Sequence, residues 1–280
     1  MLERLAASPH RPALVVTRPD RPRGRGRQLS SPPVADAARA LGIELDQPVA
    51  VNDQAALARI GAATPDVVCV CAFGALIKEP LLSARPILNV HPSLLPRWRG
   101  AAPIERAIMA GDAETGVSIM RLTAGLDSGP VGPRGIEPIG PADTYGTLAA
   151  RLQALGGELL VQTLNRAPRF AEQDDAAATY AEKITPQDRR LDPERSAAEL
   201  GRIVRALAPH VGAYVETHGR LGVWEARVRD DGPAPAPGAL SLDGPAPVLG
   251  CAEGALELIT VQPPGKRPMA GADYLRGLRR

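Results

Sequence analysis

Apolar and polar positions follow two different patterns along the chain. Up to about residue 165, short branched-aliphatic runs alternate with stretches in which Ala and Leu recur at helical spacing. The runs predict strands at Ala13–Thr17, Ile43–Leu45, Val67–Ala72, Ile87–His91 and Gly116–Leu122. The spaced stretches predict helices at Val34–Leu41, Asp53–Ile60, Pro103–Ala110 and Tyr145–Leu164. Alternating strands and helices indicate an α/β fold with a Rossmann-like open parallel sheet, whose ligands bind beyond the carboxyl ends of the strands.

The pattern changes in the last third of the chain. Residues 165–195 are polar and have no strong period. A helix is then predicted at Ser196–Leu207, followed by strands at Ala213–Thr217, Leu221–Val228, Val248–Cys251 and Leu256–Val261. Several short strands close together suggest a small β-barrel, with the OB-fold as one candidate. We therefore expect two domains, residues 1–185 and 186–280.

Composition narrows the class of protein. The 280 residues are 44% apolar and 23% charged, which is ordinary for a soluble globular protein. No apolar run is long enough to span a bilayer, and the N-terminus lacks the apolar core of a signal peptide. The three cysteines are an odd number, and Cys69 and Cys71 share one face of a predicted strand, where buried thiols are common. We expect a cytoplasmic protein without membrane contact.

The net charge of +2 hides one strongly basic segment. This segment, residues 18–27, contains five arginines and one acid, Asp20. Its glycines and prolines favour an unstructured arm over a helix. Such an arm suits a phosphate backbone, although a solvated charge run is the simpler explanation. The arginines of this segment, called here the arginine loop, are Arg18, Arg21, Arg23, Arg25 and Arg27.

Candidate chemistry lies at the ends of two predicted strands. Asn89 and His91 are two residues apart, so their side chains share one face at the end of a strand. Asp127 lies in the loop Gly125–Gly129, which follows another strand. Both loops are expected at the carboxyl edge of the sheet, where α/β enzymes place their sites. A structural histidine and a turn aspartate remain the simpler alternatives for each residue by itself.

Two segments together resemble the folate-dependent formyltransferase superfamily. They are Asn-Val-His-Pro-Ser-Leu-Leu-Pro-Arg-Trp-Arg-Gly-Ala-Ala-Pro at residues 89–103 and Gly-Leu-Asp-Ser-Gly at residues 125–129. Within the superfamily, the chain is most similar to the members that formylate tRNA. That similarity extends from the arginine loop to Pro263–Met269.

The resemblance implies an activity and a catalytic set. The activity is transfer of a formyl group from 10-formyltetrahydrofolate to the amino group of initiator methionyl-tRNA, without a metal. Asn89 would donate a hydrogen bond to the developing oxyanion, and His91 would act there or carry the amine proton. Asp127 would orient the imidazole or a water and favour the cationic form of His91. Which of His91 and Asp127 carries the proton stays open.

The resemblance also implies binding residues. The arginine loop would contact the tRNA acceptor stem, and the C-terminal domain would bind tRNA as well. We expect a monomer. The residues that would hold the folate are Phe73, Gly74, Leu76, Ser93, Leu94, Leu95 and Pro96. For each of them, a role in ordinary packing is the alternative.

The chain departs from the family in three places. Relatives begin with a strand that precedes the helix corresponding to Leu2–Ala7, whereas this sequence begins within that helix. We therefore expect the reading frame to start about 10–20 residues upstream, with a further strand. Pro130–Gly135 replaces a regular strand, and its prolines and glycines should weaken ladder pairing. Pro209–Gly212 stands where relatives usually have a Trp.

Two other functions are compatible with the sequence. One is a formyltransferase or formyl-folate hydrolase that acts on a small molecule, against which the arginine loop and the β-rich C-terminal region argue. The other is a degenerate tRNA-binding remnant without catalysis. Assays of tRNA binding and formyl transfer separate the three possibilities.

Overall fold

A computed structural model describes residues 1–23, 28–166, 168–216, 219–229 and 232–278. The chain divides into two compact units. The first comprises Met1–Gly100, Gly116–Ile136 and Leu152–Tyr180, and the second comprises Ala101–Thr115, Glu137–Arg151 and Ala181–Arg280. The units interleave in sequence, and the domain boundary near residue 185 stays a prediction.

The helices lie close to the predicted positions. Pro103 opens one helix and Gly111, with φ of 76°, ends it, while Ser196 and Glu199 form a capping box on another. The helices are α1 (Leu2–Ala6), α2 (Pro33–Ala40), α3 (Gln54–Ala62), α4 (Leu81–Ala84), α5 (Pro103–Ala110), α6 (Tyr145–Arg166), α7 (Ala197–Leu207) and α8 (Gly271–Leu278).

The strands include every predicted run and several short additions. They are β1 (Leu14–Val16), β2 (Arg21–Arg23), β3 (Gln28–Ser30), β4 (Glu44–Asp46), β5 (Val68–Val70), β6 (Ile87–His91), β7 (Arg99–Gly100), β8 (Glu114–Arg121), β9 (Val131–Pro138), β10 (Tyr180–Ala181), β11 (Ala213–Glu216), β12 (Arg220–Arg229), β13 (Leu240–Ser241), β14 (Val248–Gly250), β15 (Ala255–Gln262) and β16 (Met269–Ala270).

The main sheet of the first unit is mixed, so the expectation of an open parallel sheet holds for one pair of its strands and not for another. Its strand order is β5-β6-β8-β9, and β1 pairs with β4 in a separate parallel ribbon. Strands β5 and β6 are parallel, but β6 and β8 are antiparallel, with Val90 opposite Ile119. The connection after β6 does not carry the chain back across the sheet, so β8 enters at the end where β6 leaves. The fold remains α/β and is consistent with a Rossmann-like core.

Edge positions explain two further differences from the sequence analysis. Cys69 and Cys71 are exposed, not buried as expected: Cys69 lies on β5, the outer strand of this sheet within the described residues, and Cys71 follows the end of that strand. Pro130–Gly135 was expected to weaken pairing, yet Val131–Pro138 forms β9 at the opposite edge. Pro is tolerated there because an edge strand leaves alternate N–H groups outside the ladder.

Close packing fixes the end of β6 in the first unit. Helix α6 lies against the sheet at Gly156, where an added Cβ would be 2.9 Å from Val90 and 3.4 Å from Val117. Beneath the strand, Ile87 packs with Val51, Ile60, Ile77 and Leu81. The strand that ends at His91 is therefore held on both faces by apolar contacts.

The second unit is built around an antiparallel sheet. Its strand order is β11-β12-β15-β14-β13, and β16 pairs with β15. Helix α7 contributes Leu200, Ile203, Val204 and Leu207 to a core that also contains residues of these strands. At Gly212, with φ of 72°, an added Cβ would be 3.0 Å from the Trp224 ring. A tryptophan thus packs on the Pro209–Gly212 turn from a neighbouring strand.

Candidate active site

His91 is the last residue of β6 and is buried, with 4% of its side chain exposed. Its Nε2 lies 2.9 Å from the carbonyl oxygen of Trp98. Because a carbonyl oxygen only accepts, Nε2 carries a proton in this contact. The other nitrogen, Nδ1, lies 3.6 Å from Oδ2 of Asp127. In the neutral ring Nδ1 is unprotonated, so it is the nitrogen that can take up a proton.

Asp127 is held in an uncommon backbone conformation. Its φ is 45°, in the left-handed region that few non-glycine residues adopt. Its Oδ2 accepts the backbone N–H of Gly100 at 2.9 Å, in addition to facing His91. Two residues later, a Cβ on Gly129 would lie 2.1 Å from the carbonyl oxygen of Arg121, so only glycine fits this close approach. The loop geometry thus aims the carboxylate at the imidazole.

Burial and the carboxylate act on His91 in opposite directions. Burial lowers the pKa of His91, and it outweighs both Asp127 and the Trp98 carbonyl, which raise it. The ring is therefore neutral at neutral pH and can act as a base. Asp127 provides the negative charge that stabilises the imidazolium once a proton arrives. The structure thus brings together two of the three predicted catalytic residues.

Asn89 lies on β6 two residues before His91 and is half-buried. Its backbone is fixed between β5 and β8, opposite Val70 and Met120. Within the part of the chain that the structure describes, its side-chain amide makes no hydrogen bond. The amide is therefore available to a ligand on the face that His91 shares.

The loop after His91 uses several predicted folate residues for its own structure. Ser93 is fully buried, and its hydroxyl donates to the Arg97 carbonyl oxygen at 2.6 Å. Leu95 is also fully buried and packs with Met120 and Val131. Leu94 and Pro96 are half-buried. Ser93 and Leu95 therefore shape the loop from inside, and their contact with folate stays a prediction.

The loop after β5 contains the remaining predicted folate residues. Phe73 packs against the apolar cluster beneath β6, whereas Leu76 is 68% exposed. Gly74 has φ of 68°, a conformation that suits glycine. Asn52 fixes the loop by donating to the Leu76 carbonyl oxygen at 2.8 Å and accepting the Lys78 N–H at 2.9 Å. Since β5 and β6 are parallel neighbours, their following loops leave the same edge of the sheet.

Sequence reasoning missed three polar residues that hold this site. Gln173 donates to the carbonyl oxygens of Asp127 and Gly129 at 2.8 and 2.7 Å. Arg99 is 3% exposed and donates to Gln173 Oε1 at 3.0 Å. Thr179 Oγ1 accepts the Trp98 N–H at 2.9 Å. Two of them lie in the 165–195 segment, whose lack of periodicity gave no signal of a structural role.

The arginine loop is more ordered at its base than the unstructured arm that was expected. Strands β2 and β3 pair antiparallel, with Arg21 opposite Ser30, because an extended Arg-Pro-Arg segment can still form a short ribbon. Arg18 and Arg21 are exposed. Asp20 is engaged by Gln47 at 2.7 Å and Ser31 at 3.1 Å. Arg25 and Arg27 lie outside the described residues, as does the Arg23 side chain.

The described residues lack both a metal-ligand cluster and a membrane-spanning helix. No group of three or more His, Cys, Asp or Glu side chains is arranged there to hold a metal ion. In the same residues, no helix combines the length and apolar character needed to cross a bilayer.

Similarity to known proteins covers nearly the whole chain. The family model for formyl transferase matches residues 3–164, and the one for the formyl transferase C-terminal domain matches residues 183–279. A methionyl-tRNA formyltransferase of Methylococcus capsulatus is 42% identical over 281 residues, covering 98% of this chain and 91% of the relative.

Two solved structures are similar in fold. An N-formyltransferase from Helicobacter canadensis, in complex with folinic acid and dTDP-3-aminofucose, has a TM-score of 0.67 at 15% identity and covers 92% of this chain and 93% of that one. HypX from Aquifex aeolicus, in complex with tetrahydrofolic acid, has a TM-score of 0.65 at 18% identity and covers 85% of this chain and 43% of that one. At these identities the likeness concerns the fold.

Proposed function

The chain belongs to the formyl transferase family, and from this we propose that it transfers a formyl group from 10-formyltetrahydrofolate to the amino group of methionyl-tRNA. The observation that carries the proposal is the pairing of buried His91 with Asp127, two residues to which the resemblance to the family assigns catalytic roles. The near full-length identity to a methionyl-tRNA formyltransferase supports this substrate.

The site offers polar and apolar groups that fit a folate. The Asn89 amide has no partner among the described residues, and Leu76 and Leu126 are 68% and 64% exposed. An amide donor together with exposed apolar side chains suits a flat ring with polar edges. When bound, the folate supplies the formyl group as an amide on its N10. We propose that Asn89 and the loop containing Leu76 hold it, with Leu94 and Pro96 from the loop after His91.

The residues divide the chemistry between charge stabilisation and proton transfer. As the methionyl amine adds to the formyl carbon, Asn89 donates a hydrogen bond to the oxygen that becomes negative. The amine must lose a proton, and neutral His91 accepts it at Nδ1. As the bond between the formyl carbon and N10 breaks, the imidazolium returns this proton to the leaving nitrogen. Asp127 stabilises the imidazolium at 3.6 Å, while the Trp98 carbonyl keeps Nε2 protonated and fixes the ring orientation. His91 is therefore the proton carrier and Asp127 its counter-charge.

The basic and β-rich regions supply the proposed contacts with tRNA. Arg18 and Arg21 are exposed at the base of the arginine loop and can bind phosphates of the acceptor stem. We infer that the antiparallel sheet of the second unit belongs to an OB-like barrel that also binds tRNA. We propose that the protein acts as a monomer on initiator tRNA in the cytoplasm.

Formylation of purified methionyl-tRNA tests the proposal directly. Wild-type protein with 10-formyltetrahydrofolate should produce formylmethionyl-tRNA, and His91→Ala should lower kcat by at least about a hundredfold with little change in tRNA affinity. His10→Ala is the matched control, because His10 contacts Asn165 and not Asp127. Near-normal turnover by His91→Ala would contradict the assignment. Wild-type protein that formylates only a small amine would instead establish the small-molecule alternative.

A further inference from the structure

One segment of the first unit contacts both catalytic loops. At its beginning, the Gln173 side-chain amide donates its two hydrogens to the carbonyl oxygens of Asp127 and Gly129, at 2.8 and 2.7 Å. At its end, Thr179 accepts the Trp98 N–H on Oγ1 at 2.9 Å and the Arg99 N–H on its carbonyl oxygen at 2.9 Å. Between these contacts the chain forms a 3₁₀ turn at Asp175–Ala177.

The two residues held by this segment share an uncommon backbone conformation. Asp127 has φ of 45° and Trp98 has φ of 62°. Such values are unfavourable for a non-glycine residue and persist only where surrounding contacts impose them. Gln173 bonds the carbonyl of Asp127 itself, and Thr179 bonds the N–H of Trp98. The segment therefore supplies contacts that stabilise both conformations.

These two conformations set the geometry around His91. Asp127 presents Oδ2 to Nδ1 of His91 at 3.6 Å, and the Trp98 carbonyl oxygen takes the Nε2–H at 2.9 Å. Each ring nitrogen thus faces a group that the segment holds in place. Arg99 reinforces the arrangement, because its buried guanidinium donates to Gln173 Oε1 at 3.0 Å and to Asp175 at 2.7 Å.

From this arrangement we propose that Gln173–Thr179 is a positioning strap for His91 and Asp127, with Gln173 and Thr179 as positioning residues. The inference rests on the proposed function for its kinetic consequence. Its structural consequence is independent of that function: the strap keeps the Asp127 carboxylate on the Gly100 N–H, which it accepts at 2.9 Å. Neither residue needs to touch a substrate, so both should affect kcat more than KM.

Gln173→Met tests the strap, because it removes both donors without adding charge. We expect kcat to fall by at least about tenfold while KM for tRNA changes by less than about twofold. By NMR hydrogen exchange, the Gly100 amide should exchange at least about tenfold faster, since its acceptor is no longer held. The Leu122 amide, which bonds the Ile87 carbonyl at 2.9 Å, should exchange as in wild type.

Gln162→Met is the matched control, because Gln162 is exposed and, within the described residues, its side chain bonds only Glu158 on the same helix. A folded Gln173→Met variant with wild-type kcat and wild-type Gly100 exchange would overturn the proposal. Equal acceleration at Gly100 and Leu122 would also overturn it, because that pattern indicates general destabilisation.

A second pair of variants covers a failure of Gln173→Met to fold. Thr179→Ser keeps the Trp98 contact and should retain kcat within about twofold, whereas Thr179→Val loses it and should lower kcat at least about fivefold. Equal kcat in these two variants would overturn the proposal. If wild-type protein makes no formylmethionyl-tRNA, the proposed function fails. The exchange rate of the Gly100 amide in Gln173→Met still decides whether the strap holds Asp127. If only Thr179→Val folds, Gly100 exchange is measured in that variant instead.

Discussion

Replacing Asp127 by Asn removes the negative charge beside His91 and changes little else. Asn tolerates the left-handed conformation that Asp127 adopts, with φ of 45°. Its side-chain oxygen can still accept the Gly100 N–H, which lies 2.9 Å from Oδ2 in the structure. The substitution therefore isolates the electrostatic contribution of the carboxylate from its contribution to the loop.

The size of that contribution follows from the 3.6 Å between Oδ2 and Nδ1. The interaction energy of two unit charges at that distance is about 1 kcal/mol with the screening of bulk water and about 5 kcal/mol at an effective dielectric constant near 20. Losing it lowers the pKa of His91 further, because the imidazolium loses the carboxylate that stabilises it. If the imidazolium forms in the transition state, kcat falls by about tenfold to a thousandfold.

Two measurements check the prediction. The chain has four histidines, so the His91 ring signal is identified by its loss in His91→Ala and then titrated by NMR. In Asp127→Asn, the His91 midpoint should move down from the wild-type value, which already lies below the ordinary value of about 6.5. Asp53→Asn is the control, since Asp53 is exposed at the start of α3. An unchanged His91 midpoint in Asp127→Asn would refute the reasoning.

Two further predictions concern tRNA and stability. Neutralising Arg23, Arg25 and Arg27 together should raise KM for tRNA and flatten the dependence of KM on salt, because fewer counterions are released on binding. An unchanged salt slope would mean that the arginine loop is only solvated charge. Burial raises the pKa of Asp188, but bonds from Arg106 and Thr185 outweigh it and lower the pKa to about 2. This stabilisation is present above the pKa of the unfolded state, near 3.8, and is lost as pH falls towards 2. Asp188→Asn should therefore lower the free energy of unfolding by about 2 kcal/mol at neutral pH and by progressively less in acid. Denaturant unfolding at several pH values measures this difference.

Elements governed by neighbours in sequence were predictable from the sequence. Strand Ile87–His91 and helix Pro103–Ala110 have the predicted bounds, because an apolar run fixes one and Pro103 with Gly111 limits the other. The capping box at Ser196 is likewise a local signal. Asn89, His91 and Asp127 could be proposed because a strand end and a glycine-flanked loop are visible in the sequence.

Only the tertiary structure decided which of these residues meet and what holds them. The Asp127 carboxylate faces Nδ1 of His91, although the two residues are far apart in the sequence and periodicity describes only residues close together in the chain. Gln173 and Thr179 hold both loops from a segment without periodicity, and their hydrogen bonds depend on where distant carbonyl and N–H groups lie. Cys69 is exposed because its strand is at a sheet edge, a property of strand order. Periodicity reports how one segment partitions between core and solvent, whereas site geometry depends on contacts between segments.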